Sequence, residues 1–270
     1  MRVGRPAGRY DLKKWATVVG VVFSASVSAA NPVVGGFNTV RAGAASFVDG
    51  SFFEQARAAC QNAFPGTTFA STATLTPEFL STVDVVVLSA IAGNHDTLSP
   101  LSATERQALH AFVLAGGALL ELLDNQDFEN TGLESPFGLH CSGALADLST
   151  SVVVYTGSPL AAGPYGIVTH FSQAWAGFFD AVPGQASVVA VNGLGASLAS
   201  INGGTLGAVS GPCVFYTDNQ TFVDDEEIPG AAFSSHTALF LNTLWYLLPE
   251  KTVGVENRAW TQVKSRYRSK

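Results

Sequence analysis

The chain has 270 residues, of which 47% are hydrophobic and 13% are charged, and its formal net charge is −7. The apolar residues suffice for a sizeable core and the charged share is about half of the usual one, which together exclude a disordered chain. The acidic balance also argues against a nucleic-acid-binding protein, because phosphate binding depends on clustered Lys and Arg.

The first 30 residues have the three-part pattern of a secretory signal peptide. Five basic residues precede an apolar stretch at 15–27, and small residues up to Ala30 offer a cleavage site. This stretch is shorter than the about 20 residues that span a bilayer, and no later segment reads as a span. The alternatives are an uncleaved anchor and a buried N-terminal helix. We expect export, to a periplasm, a cell surface or the medium.

Charge is unevenly distributed along the rest of the chain. Without the first 30 residues, nine basic and 20 acidic residues remain, a net charge of −11. Residues 31–249 hold only three of these basic residues, whereas the tail at 250–270 holds six. In a helical tail Trp260, Val263 and Tyr267 would share one face. The tail is either a solvated C-terminus or a peptide that docks to a surface or a partner.

The three cysteines are Cys60, Cys141 and Cys213. After export two of them could pair and one would be left over, but their spacing fits no zinc pattern. Buried free thiols are the alternative to one disulfide, and the sequence leaves both open.

Strands and helices alternate in the first half of the chain. A β-branched run at 83–89 is typical of a strand covered on both faces, and Ser102 and Glu105 form a capping box. Such alternation implies right-handed crossovers and a parallel sheet with helices on both faces. The predicted elements are strands at 31–38, 67–70, 83–89 and 118–122, helices at 52–63 and after 102, and a helical turn from 76.

The second half is less regular. Residues 137–179 are rich in Gly, Pro and Ser and stay unassigned, except for a strand at 152–155. We expect one domain over residues 31–249. The remaining predicted elements are a hairpin formed by 188–191 and 196–201, a buried strand at 213–217 and an apolar helix at 236–248 that packs on the sheet.

A short polar segment occurs twice, after the strands at 118–122 and 213–217, and a third polar loop follows the strand at 83–89. The carboxyl ends of parallel strands lie at one edge of a sheet, where open α/β sheets bind ligands. The candidate ligand-binding residues are Asn94, His95, Asp96, Asp124, Asn125, Gln126, Asp218, Asn219 and Gln220.

Carboxylates and amides together suit a small polar ligand such as a sugar, or a hard cation such as calcium. The alternative is that these residues only cap and turn the chain, because Asp and Asn bond their own backbone at strand ends. No EF-hand spacing, no G-x-S-x-G and no H-E-x-x-H occurs, so the sequence identifies no metal, cofactor or catalytic residue.

Two stretches resemble the class I glutamine amidotransferase-like domains, and within them the non-catalytic and ThuA-like branches. They are the strand at 83–89 and the segment 101–117, which reads Leu-Ser-Ala-Thr-Glu and ends in Gly-Gly. The strand at 213–218 and the helix at 236–248 resemble the end of the same domains. The resemblance implies a three-layer, flavodoxin-like α/β sandwich with a mostly parallel central sheet.

In the catalytic members of that superfamily the strand after Gly-Gly leads to a Cys nucleophile, and a late strand leads to its His and Glu. Asp124 and Asp218, each followed by Asn and Gln, stand at these places here. A carboxylate beside amides cannot do thiolate chemistry. We therefore expect an exported, non-catalytic module that binds a ligand or acts as a scaffold. The alternatives are a carbohydrate-directed hydrolase that uses Asp124 and Asp218 as a carboxylate pair, and a cell-surface structural protein that acts through its tail.

Overall fold

The computed structural model describes residues 31–89, 100–124, 132–145, 148–224 and 233–248. The helices are α1 (Thr39–Ala42), α2 (Glu54–Ala63), α3 (Pro77–Leu80), α4 (Ala103–Leu114) and α5 (Phe233–Leu247). The strands are β1 (Val33–Phe37), β2 (Thr68–Thr72), β3 (Val85–Ser89), β4 (Ala118–Leu122), β5 (His140–Ser142), β6 (Leu148–Val153), β7 (Ala162–Gly163), β8 (Gly166–Ile167), β9 (His170–Ala174), β10 (Phe178–Ala181), β11 (Ser187–Val191), β12 (Ala196–Ile201) and β13 (Cys213–Tyr216).

An 11-stranded sheet organises the molecule, in the order β2-β1-β3-β4-β13-β12-β11-β6-β9, and β10 pairs with β12 and β5. The strands from β2 to β13 along this order pair in parallel, and the strands beyond β13 pair antiparallel. The predicted fold class, α/β with a central sheet that is mostly parallel in its core strands, is confirmed. The predicted hairpin is confirmed too, as β11 and β12.

The three central strands β3, β4 and β13 are buried along their whole length, as continuous apolar runs predict. They end in register: Ser89 lies opposite Leu122 on β4, and Leu122 lies opposite Tyr216 on β13. The chain after these residues therefore leaves the sheet on one side. We call this side, with Ser89 and the residues at 123–124 and 217–220, the strand-end edge.

Helices cover the parallel part of the sheet on both faces. On one face Tyr216 belongs to the same core cluster as Leu244 of α5. On the other face Leu119 and Phe215 belong to a cluster with Leu109 of α4. Alternate residues of each strand thus pack into opposite layers, which gives the three-layer arrangement.

The predicted capping box at the start of α4 is present. The Ser102 hydroxyl accepts from the backbone N–H of Glu105 at 3.2 Å, and the Glu105 carboxylate accepts from the N–H of Ser102 at 2.9 Å. Glu105 also accepts from Arg41 at 3.0 Å, an ion pair that ties α4 to α1. The local signal in the sequence thus determines where α4 begins.

We expect Ser102→Ala to lower the free energy of unfolding by about 1 kcal/mol, because one N–H at the helix start loses its acceptor. Urea denaturation measures the effect. Thr104→Ala, an exposed change in the same helical turn, is the control and should cause no loss, since alanine favours helix. Equal losses in the two variants would contradict a capping role for Ser102.

The three cysteines are free and buried, so the structure favours the free-thiol alternative over a disulfide. Burial raises the pKa of the Cys60 thiol to about 12, and it raises the pKa of Cys141 and Cys213 as well. Thiols in such surroundings are inert. Within the described ranges, no helix is long and apolar enough to cross a membrane.

Candidate functional site

Four of the nine candidate residues belong to the described part of the chain. Asp124 and Asp218 each lie two positions beyond the paired residues Leu122 and Tyr216, and Leu123 N donates to Tyr216 O at 2.8 Å. Both polar segments therefore begin side by side at the strand-end edge. The candidates outside the described residues are Asn94, His95, Asp96, Asn125 and Gln126.

Asp218 is fully buried, and both of its carboxylate oxygens accept backbone N–H groups. Oδ2 accepts from Ala174 at 2.8 Å and Oδ1 accepts from Gln220 at 2.7 Å. The Thr221 hydroxyl lies 3.5 Å from Oδ2. Asp218 thus caps the 3-10 turn Asn219–Phe222 and anchors β9, so in this structure its carboxylate bonds to backbone.

Burial raises the pKa of Asp218 to about 7, although the N–H groups of Ala174 and Gln220 and the Thr221 hydroxyl act to lower it. In this structure both oxygens of the buried Asp218 carboxylate are held by backbone N–H groups. These hydrogen bonds argue against a hydrolase that uses Asp124 and Asp218 as a pair, because a glycosidase needs both carboxyl groups to flank the scissile bond.

His236, at the start of α5, complements Asp218. Its Nε2 accepts from Ser172 N at 3.1 Å, which leaves the proton on Nδ1, and Nδ1 donates to Thr221 O at 2.7 Å. Burial lowers the pKa of His236, so that the neutral ring persists. Asp218 and His236 therefore accept from the N–H groups of Ala174 and Ser172 on the outer edge of β9. Without these acceptors the edge would offer a template for pairing with another strand.

The segment 174–177, between β9 and β10, crosses both strand ends. Its first N–H, on Ala174, bonds to Asp218, and the N–H of Gly177 donates to Thr217 O at 3.0 Å. A Cβ on Gly177 would lie 2.9 Å from Asp124 O, so this backbone lies directly against the end of β4. Trp175 lies between these contacts, is 46% exposed and has φ 54°. Nothing in the sequence indicated Trp175, because no residue pattern marks a tryptophan with positive φ.

Asn219 is the least satisfied polar residue of the strand-end edge. Its side chain is 1% exposed, and neither Oδ1 nor Nδ2 has a hydrogen-bond partner among the described residues. Gln220 Oε1 and Ser89 Oγ are likewise buried without a partner in that part of the chain. A buried polar group without a partner costs about 1–3 kcal/mol, and the described residues supply no partner that offsets this cost at the strand-end edge.

A buried thiol lies beside the end of β4. Cys141 Sγ donates to Asp124 O at 2.9 Å, a contact that the sequence did not reveal because β5 was unassigned. Burial, and then Glu134, Asp124 and Asp180, raise the pKa of this thiol. A nucleophilic cysteine needs the opposite environment, with cations or a base that stabilise the thiolate. The arrangement supports the expectation that thiol chemistry does not occur here.

Glu121 of β4 lies beneath the strand-end edge on the α4 face, between Leu88 and Phe215 of the neighbouring strands. It is fully buried, and neither carboxyl oxygen has a partner among the described residues. Burial and the nearby Glu134 raise its pKa well above the usual value. The described residues contain no group of three or more His, Cys, Asp or Glu side chains that could hold a metal ion.

No protein-family model and no curated protein matches the chain. Solved structures do match: a ThuA-like protein from Bacteroides uniformis, with 12% identity and a TM-score of 0.53, covers 93% of this chain and 98% of its own. A cytoplasmic protein from Salmonella typhimurium, with 13% identity and a TM-score of 0.53, covers 82% and 100%. The N-terminal domain of mmIFT52, with 12% identity and a TM-score of 0.55, covers 83% and 98%. The chain therefore shares its α/β fold with a ThuA-like protein, in agreement with the fold that the resemblance implied.

Proposed function

We propose that the protein is an exported, non-catalytic member of the class I glutamine amidotransferase-like group that binds a small polar ligand at the strand-end edge. Three features support the proposal: the signal-peptide pattern of residues 1–30, the Asp-Asn-Gln segments in place of a nucleophile and its base, and the buried polar groups at the edge. The fold is retained, whereas its catalytic groups are replaced.

The observation that carries the proposal is the buried amide of Asn219, with one acceptor and two donor hydrogens that no described residue uses. Both amide atoms are closed to solvent, so a ligand reaches them only when the strand-end edge opens; a ligand hydroxyl can then donate to Oδ1 and accept from Nδ2 and so satisfies both atoms. Sites that bond a ligand in this way discriminate strongly, because a ligand without the hydroxyl leaves them unpaired. Binding of this kind needs no covalent step and no ionised side chain.

A thermal-shift screen of the purified protein against sugars, polyols, calcium and magnesium tests the proposal. A ligand at 100 times its Kd should stabilise the folded protein by about 2.7 kcal/mol. We expect Asn219→Ala to remove this shift, and to leave the ligand-free protein as stable as before or more stable, because it deletes a buried amide that has no partner among the described residues.

Asn62→Ala is the matched control, since Asn62 is exposed on α2, and this variant should respond to the ligand like the wild type. The proposal is overturned if no compound shifts the transition, or if Asn219→Ala keeps the full shift. A large loss of stability in ligand-free Asn219→Ala would assign this side chain to the fold instead.

Export is tested separately, by fractionating a bacterial host that expresses the full chain or a chain without residues 2–30. We expect the full chain outside the cytoplasm with a new N-terminus near residue 30, and the truncated chain inside. An intact N-terminus on cytoplasmic protein would contradict export.

A further inference from the structure

We infer that the ligand of the strand-end edge is a neutral carbohydrate and that Trp175 is the platform on which its ring stacks. This inference rests on the proposed function, because it names the ligand class of the same site. The observation behind it is an exposed aromatic residue in a strained conformation, on a backbone segment that contacts the ends of two strands.

The backbone of Trp175 is strained. With φ 54°, it is the one non-glycine residue with positive φ in the described ranges. L-residues in this region cost about 1–2 kcal/mol, and for a bulky side chain the conformation is a genuine outlier. Such strain persists where the surrounding structure enforces it, and it concentrates at ligand sites.

Hydrogen bonds on both sides of Trp175 enforce this conformation. Ala174 N donates to Asp218 and Gly177 N donates to Thr217 O, while Ala176 O accepts from Leu145 N at 2.9 Å. The neighbours of Trp175 are therefore fixed to the residues that lead directly into Asn219. The backbone of Trp175 is therefore preorganised, so that little of its conformational entropy is lost when a ligand binds.

A sugar ring matches these two groups. One face of a pyranose presents C–H groups, which pack on an aromatic face, while its edge presents hydroxyls that donate and accept. The indole of Trp175 is 46% exposed and offers a large apolar surface, and the Asn219 amide offers both a donor and an acceptor. Stacking and hydroxyl recognition thus come from two segments of the chain that hydrogen bonds join at the strand-end edge.

The charges of the body favour a neutral ligand over an anionic one. Its three arginines are used elsewhere: Arg41 pairs with Glu105, Arg57 donates to Phe47 O and Arg106 donates to Leu101 O. Phosphate and carboxylate ligands are held chiefly by such cations. An acidic body without a free arginine among these three therefore disfavours an acidic sugar or a phosphate ester.

The test is NMR on full-chain protein labelled with 15N at tryptophan, titrated with maltose, cellobiose, lactose and mannobiose, and with glucuronate and choline as charged probes. We expect at least one neutral disaccharide to shift the Trp175 indole N–H resonance. Trp175→Ala should weaken that disaccharide's binding at least tenfold, which is about 1.4 kcal/mol, whereas Trp175→Phe should retain most of the affinity.

Tyr155→Ala is the matched control, because Tyr155 is exposed to the same degree, at 49%, and does not adjoin the strand-end edge residues. If Trp175→Ala does not fold, Trp175→Asn replaces it, since asparagine adopts positive φ readily. The inference is overturned if no disaccharide binds, or if Trp175→Ala or Trp175→Asn binds a disaccharide as tightly as the wild type.

The outcomes separate this inference from the proposed function. If only a charged probe binds and Asn219→Ala abolishes that binding, the strand-end edge is a ligand site but the carbohydrate inference fails. If a disaccharide binds and depends on Trp175 but not on Asn219, the stacking platform stands and the role proposed for the buried amide fails.

Discussion

Replacing Asp218 by alanine is expected to lower the free energy of unfolding by about 3–5 kcal/mol. The carboxylate accepts from Ala174 N and Gln220 N inside the protein, and each buried N–H left without an acceptor costs about 1–3 kcal/mol. Without the Asp218 carboxylate, Ala174 of β9 is also no longer bonded to the strand-end edge. Chemical denaturation followed by far-UV circular dichroism measures the change.

The comparison with other carboxylates makes this prediction specific. Asp218→Asn keeps one acceptor oxygen and should lose clearly less stability than Asp218→Ala. Asp180→Ala removes an exposed contact of 2.7 Å between the Asp180 carboxylate and His140 Nδ1 and should cost less than about 1 kcal/mol. If Asp218→Ala costs no more stability than Asp180→Ala, the Asp218 carboxylate is dispensable for the fold. Asp218 would then be a candidate for binding a ligand or for catalysis.

Replacing Glu121 by glutamine is expected to stabilise the protein increasingly as pH rises. In the folded state the pKa of this carboxyl is raised well above 4.5, by burial and by Glu134, so the folded protein binds a proton that the unfolded chain releases. Its contribution is fully present below about pH 4.5 and is lost as pH rises toward the folded value, by about 1.4 kcal/mol per pH unit. Glutamine carries no such proton and removes this pH dependence.

Urea denaturation of wild type and Glu121→Gln at pH 5 and pH 8 measures the effect, and the variant should gain more at pH 8. Glu105→Gln serves as a control of opposite sign. Burial acts to raise the pKa of Glu105, but the Ser102 and Leu75 N–H groups and Arg41 together lower it. Glu105 therefore stabilises the fold above about pH 4.5, and its replacement should cost stability at pH 8. Equal stability differences for Glu121→Gln at the two pH values would contradict a protonated Glu121.

The parallel half of the fold was predictable because its signals are local. The β-branched run at 83–89 became β3, and the capping box at Ser102 and Glu105 became the start of α4. The alternation of strands and helices then predicted a parallel sheet with helices on its faces. Each of these inferences needed only neighbours in sequence.

The antiparallel half was predictable only in its β11–β12 hairpin. Its strands β5 and β7 to β10 have two to five residues each, too few for a periodic pattern to emerge. Their pairing is distant in sequence: Cys141 of β5 lies opposite Phe179 of β10. Gly and Pro in this region indicate turns but not which strands pair across them.

In the candidate site, too, local features were predictable from the sequence and long-range contacts were not. The repeated Asp-Asn-Gln segments predicted polar strand ends, but one of the two backbone partners of the Asp218 carboxylate is an N–H 44 residues earlier in the chain. No local pattern distinguishes an aspartate that anchors a strand from one that meets a ligand. Trp175 was missed for a related reason, since long-range hydrogen bonds of its neighbours impose its positive φ.

Ligand binding at the strand-end edge is tested most directly by the side-chain amide resonances of Asn219 in a two-dimensional 15N spectrum, assigned by their loss in Asn219→Asp. With the compound that gives the largest thermal shift, these resonances should move progressively and saturate together with the Trp175 indole N–H. Unchanged Asn219 resonances at saturating ligand would contradict binding at this edge.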